Sequence, residues 1–132
     1  MANTITSQTI VDGTKNLIVK IDILGDASGE ETATVIVDAS TFTPAYTDCS
    51  LVGVHATLVG FTARLYWDAT ANVPLFSIAD YEVNLTTQEV RRFGGLPNNA
   101  GAGKTGDVLM TTAGLGAADH GTIILEFEKH QA

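Results

Sequence analysis

Cysteine, cationic side chains and long apolar runs are what this chain has least of. Its one cysteine, Cys49, cannot close a disulfide within the chain, so no disulfide framework holds the fold. The opening residues Met1-Ala2-Asn3-Thr4-Ile5-Thr6 have neither the basic stretch nor the apolar stretch of a secretory signal. No apolar run approaches the roughly 20 residues that a membrane-spanning helix needs, so no membrane partner is expected. Only 7 Lys and Arg stand against 15 Asp and Glu, a net charge of −8. Such a surface repels phosphate backbones, so no nucleic acid partner is expected either. Serine is scarce, and none of Ser7, Ser28, Ser40, Ser50 and Ser77 stands in the G-x-S-x-G pattern of an activated nucleophile.

What fills the chain is Thr, Ala and Gly: 18, 16 and 13 of the 132 residues. A chain this long makes one domain, 1–132, able to bury roughly two-thirds of its unfolded surface in a single core. Threonine and glycine at this density suit strands joined by tight turns. Alternation supports that. Leu17, Val19, Ile21 and Ile23 share one face of a strand, and Ala33, Val35 and Val37 share a face of the next, which predicts an antiparallel hairpin around Gly25–Glu30. Val52, Val54, Ala56 and Leu58, then Phe61, Ala63, Leu65 and Trp67, predict a second hairpin through Val59-Gly60. Asp12-Gly13 fits a type I′ turn. Residues 1–11 therefore either pair with the strand that follows or leave the body as an arm. Further strands are expected over Val73–Ala79, Asp107–Thr112 and Thr122–Lys129, with Pro74 near a strand start or on an edge. Thr86-Thr87-Gln88-Glu89 fits a capping box for a short helix ending at Gly94, and a short strand ending in Arg91-Arg92-Phe93 fits as well. The sum is an all-β fold: one antiparallel sandwich or jelly-roll-like domain of seven to eight strands, with at most one short helix.

Several motifs invite a chemical reading. Gly101-Ala102-Gly103-Lys104-Thr105 ends like a phosphate-binding loop, but position 98 is Asn where that pattern needs Gly, and a strand pattern follows where it needs a helix. A plain Gly-rich loop is the better reading. The acids Asp22, Asp26, Glu30 and Glu31 lack the spacing of a calcium loop and read as a solvated hairpin tip. His55, His120 and His130 are not at metal-ligand spacing. Cys49 sits between Asp48 and Ser50, and an acidic neighbour raises a thiol's pKa rather than activating it. Trp67 shares the apolar face of its strand and belongs to the core, whereas Tyr66 points the other way. No catalytic residue, cofactor or metal is assigned.

Three stretches carry a resemblance: Ile18-Val19-Lys20 through Gly25-Asp26-Ala27-Ser28-Gly29-Glu30-Glu31, Leu65-Tyr66-Trp67-Asp68-Ala69-Thr70, and Gly94-Gly95-Leu96-Pro97-Asn98-Asn99-Ala100-Gly101 through Thr105-Gly106-Asp107. With the ending Gly121-Thr122-Ile123-Ile124-Leu125-Glu126, the chain resembles small virion proteins of tailed bacteriophages over nearly its whole length. The stretch from Tyr81 to Arg92 departs from that pattern. The resemblance implies a non-enzymatic head protein, a decoration or cement protein on the outer head surface. It would bind the major capsid protein and cluster as a homotrimer. The residues expected to make those contacts are Ile5, Ile10, Arg91, Arg92 and Lys104. Three alternatives stay open: a neck, tail or fibre-base virion protein; a small metal-dependent β-fold enzyme with a His and acid cluster assembled through space; and a glycan-binding module with Tyr66 beside Tyr81 or Tyr46.

Overall fold

A computed structural model describes residues 3–26, 29–42, 48–78, 82–85 and 96–130. Ten strands run through them: β1 (Thr4–Asp12), β2 (Asn16–Leu24), β3 (Thr34–Val37), β4 (Asp48–Val59), β5 (Thr62–Trp67), β6 (Val73–Ile78), β7 (Glu82–Leu85), β8 (Leu96–Pro97), β9 (Val108–Ala113) and β10 (His120–His130). The one helical turn among the described residues is a 3₁₀ turn, Ala39–Thr41, capped by Asp38 Oδ1, which accepts from Ser40 N. The helix expected to end at Gly94, and the rival strand ending at Phe93, lie outside the described residues.

The strands form two antiparallel sheets. One runs β1-β2-β10-β4-β7, with β8 also on β4, and the other runs β3-β9-β5-β6. Without β1 and the two-residue β8, the pairings nest. β2 pairs with β10, β3 with β9, β4 with β7 and β5 with β6. That is one long hairpin folded over on itself, and the roll adds the pairs β10·β4 and β9·β5. This strand order is a jelly roll, and the fold is all-β as the alternation implied.

On β2 and β5 the predicted faces are where the period of two puts them. Leu17, Val19, Ile21 and Ile23 on β2, Phe61, Ala63, Leu65 and Trp67 before and along β5, and Ile123, Leu125 and Phe127 on β10 are all buried in the space between the sheets. Trp67 from one sheet meets Phe127 from the other, ring centroids 6.2 Å apart and tilted by 57°.

Two expected hairpins are not hairpins. β2 and β3 lie in different sheets, and so do β4 and β5. Alternation says which face of a strand is buried, but it does not name the neighbour. In a sandwich, consecutive strands both bury their apolar faces by crossing from one sheet to the other. Gly60 makes the second crossing possible, with φ of +90° and no room for a side chain, since a Cβ there would press on the Asp119 carboxylate. Two details also differ. Neither Asp12 nor Gly13 has positive φ. The β1–β2 turn is therefore not the two-residue type I′ turn; it spans Gly13–Lys15 and closes with Gly13 N donating to Asn16 O at 2.8 Å. On β3 a bulge between Val35 and Val37 breaks the alternation, so Ile36 is buried and Val35 is exposed.

Replacing Gly60 with Ala forces a side chain onto a positive φ and against Asp119. The expected loss is about 1–3 kcal/mol in chemical denaturation. A loss below about 0.5 kcal/mol would contradict this account of the crossing.

Candidate functional site

The feature that the core does not explain is β1. Its residues pair with β2 in register from Thr4 opposite Leu24 to Asp12 opposite Leu17, so it lies in the sheet of its own chain. But the facing sheet is only four strands wide, and β1 lies beyond β2 at the edge of the wider one. Among the described residues, nothing covers β1 beyond the contact that Ile5 makes with the core. Of its nine residues only Ile5, opposite Ile23, is partly buried and touches the core. From Thr4 to Val11 the strand carries no charge and no proline. Lysine, proline, short length and β-bulges are the usual ways in which proteins stop an edge from pairing with another chain. β1 has one such device, a bulge at Ile10, between Thr9 and Val11. Ile10 and Val11 are exposed there, at 49% and 40%.

Both ends of this bar are clamped. At the start, Asn3 Nδ2 donates to Gly29 O at 2.9 Å and to Glu31 Oε2 at 2.8 Å, while its Oδ1 accepts from Asp26 N at 3.0 Å. At the end, Lys129 Nζ donates to Asp12 Oδ1 at 2.6 Å. The Lys129 side chain is fully buried and Asp12 is about one-quarter exposed, at 27%. The ammonium also sits 6.0 Å from the centre of the Phe42 ring. Lys129 continues the inward series Ile123, Leu125 and Phe127, so the fold has to supply a counter-charge, and the last residue of β1 provides it.

The acidic loop after β2 is not merely a solvated tip. The Glu30 carboxylate accepts from Thr112 Oγ1 at 2.8 Å, Gly114 N at 2.8 Å and Leu115 N at 3.1 Å. The Leu115 N–H and then the Thr112 hydroxyl hold its pKa below the ordinary value of 4.5. Glu31 accepts from Thr34 Oγ1 through its other oxygen, and its backbone exchanges bonds with Thr112. Because the same Glu31 receives Asn3, this latch also positions the start of β1. Elsewhere, burial pushes the Asp107 carboxyl up, and the nearby charges of Asp38 and Asp68 add to that, against the lowering effect of the Ala39 N–H.

The residues expected to make contacts fall on separate elements. Ile5 packs inward and Ile10 faces solvent, both on β1. Lys104 is half-buried in the loop before β9, where its N–H donates to Gly101 O at 3.3 Å. Arg91 and Arg92 lie outside the described residues, as do Tyr46 and Tyr81. The Gly101–Thr105 loop is pinned against the turn after β5. Thr70 N donates to Ala102 O, Thr105 N to Asp68 O and Thr105 Oγ1 to Asp68 Oδ2. The hydroxyl a nucleotide loop would offer to a metal is thus held by a carboxylate, and β9 follows in place of a helix. Cys49 is fully buried. Among the described residues, no three His, Cys, Asp or Glu side chains converge as metal ligands, and no helix is long and apolar enough to cross a membrane.

No protein-family model matches the chain, and no curated protein does. Among solved structures, the crystal structure of the infectious bursal disease virus VP2 subviral particle aligns with 97% of this chain at 10% identity and a TM-score of 0.20. The chain spans 41% of that chain's length, and a likeness this low carries no argument.

Two outcomes test the clamps. Asp12→Ala takes one carboxylate away from a buried ammonium, at an expected cost of about 3 kcal/mol, the low end for breaking a buried pair because Asp12 keeps some contact with water. Adding Lys129→Met should recover most of that cost, and a double variant no more stable than Asp12→Ala would contradict it. For Glu30 the folded pKa is lowered, so its contribution is present above its unfolded value and is lost as pH falls through the folded one. The stability gap between the parent and Glu30→Gln should therefore shrink as pH drops from about 7 to about 3. A gap that stays constant over that range would contradict the latch.

Proposed function

We propose that this chain is a non-enzymatic virion structural protein, a decoration protein on the outer head surface of a tailed phage. In this reading it binds the major capsid protein as a homotrimer and stabilises the shell. The resemblance in its loops and final strand supports the phage origin. The observation that carries the mode of action is β1, an edge strand with no charge from Thr4 to Val11, clamped at both ends and exposed at every residue but Ile5. Such a strand can add to a neighbour's sheet by main-chain hydrogen bonds, as strand addition does elsewhere. Clamping lowers the ordering cost of binding, because the strand is already in place. A contact that spans a subunit boundary must be broken before the shell can open, so it raises the free energy of opening. The charge of −8 favours the outer surface over a position facing packaged DNA.

The reading is tested on purified particles by quantitative mass spectrometry against the major shell protein. A copy number that is a large fraction of the shell protein's is expected. A dozen copies or fewer would place the chain at the neck or tail, and absence from the particle would overturn the virion reading. A second test adds lysines to the free edge by Thr6→Lys and Gln8→Lys. This double variant should keep its unfolding midpoint and lose its place on the head. Undiminished occupancy would remove β1 from the contact.

A further inference from the structure

The outer face of the four-stranded sheet carries a second candidate site, unrelated to β1. An open cavity of about 470 Å³ lies over β5, β6 and β9, within the range of roughly 300–1,000 Å³ of small-molecule sites. Arg64 is its centre. Strand register sets Ser77 and Thr111 directly opposite Arg64 on the two neighbouring strands, and puts Thr62 and Tyr66 two residues away on β5 itself. All five side chains line the cavity. At sheet spacings of about 4.8 Å across and about 6.6 Å along, they form a cross roughly 10 by 13 Å. The centre of that cross is a cation and its arms are three hydroxyls and a phenol.

The charge state of the cross is unusual for this chain. Fifteen acids outnumber seven bases, yet among the described residues no carboxylate pairs with Arg64. Its guanidinium instead lies 5.7 Å from the centre of the Tyr66 ring, which fixes the fork without neutralising it. Thr62 and Ser77 have no protein partner among the described residues, and the Thr111 oxygen accepts from Ala33 N at 3.0 Å. An anion suits the fork, since guanidinium and carboxylate pair through two parallel bonds. Hydroxyls on both sides and an aromatic face suit a hydroxylated ring. We propose that this face binds an acidic sugar, its carboxylate on Arg64, its hydroxyls on Thr62, Ser77 and Thr111, and its ring edge on Tyr66.

The test is a chemical-shift titration of ¹⁵N-labelled protein with galacturonate, with its dimer digalacturonate, and with neutral galactose as control. Saturable shifts confined to residues 62–66, 77 and 111–113 are expected with galacturonate, with galactose at least about tenfold weaker. Digalacturonate binding more tightly than galacturonate would identify a polymer as the natural source, and equal binding a free sugar; both support the site. Arg64→Ala should remove the preference for galacturonate over galactose while the spectrum stays dispersed. Arg64→Lys should keep part of it, which separates a charge role from a folding defect. No saturable shift at this face up to about 50 mM, equal response to galactose, or an unchanged preference in Arg64→Ala would overturn the proposal.

Discussion

The unequal width of the two sheets is the constraint on which the rest of this molecule depends. Their inner faces close around the Trp67–Phe127 contact, where the inward-facing apolar side chains of the central strands are buried. The narrower sheet has four strands and the wider one reaches past it, so the outermost strand has no layer opposite. A strand that cannot earn its place by burial has to be held by side chains. Asn3 and Asp12 hold β1, one through the Glu31 loop and the other through the buried Lys129. The result is a pre-ordered edge whose unpaired backbone side and all side chains but Ile5 are exposed.

That arrangement also separates the two candidate surfaces. β1 is an edge, suited to a partner that presents a strand or a flat polar surface. The Arg64 cross is a face on the other sheet, suited to a small ligand with a negative charge. Neither needs the core to move. The Gly-rich loop before β9, which looks adaptable by composition, is tied to the turn after β5 by three hydrogen bonds and reads as part of the scaffold. Asp107, at the end of that loop, accepts from Ala39 N at 2.8 Å through its carboxylate and so ties the start of β9 to the 3₁₀ turn. It does so at an electrostatic cost set by burial and by Asp38 and Asp68.

Much of the fold was legible in the sequence, for a local reason. A period of two survives wherever a strand has one dry face, so Leu17 to Ile23, Phe61 to Trp67 and Ile123 to Phe127 were placed correctly without any partner. Pairing was not legible, because β2 and β3 cross between sheets with the same signal that a hairpin would give. The burial of Lys129 was signalled by its place two residues after Phe127, but Asp12 as its partner required the register of β1, β2 and β10. The Arg64 cross had half a signal. Arg64 and Tyr66 share a face by alternation, whereas Ser77 and Thr111 join them only through strand order. Val35 and Ile36 were misplaced by a bulge, which inserts one residue and reverses every face beyond it.

The central claim is that β1 is a preformed contact element. Hydrogen–deuterium exchange of the isolated protein and of the protein mixed with the phage head particle proposed as its partner tests it most directly. Amides of residues 4–11 that pair with β2 should be protected in both states, and the outward-facing amides of the same strand should gain protection only on the particle. Outward-facing amides that exchange equally fast in both states, with new protection elsewhere on the surface, would contradict the account.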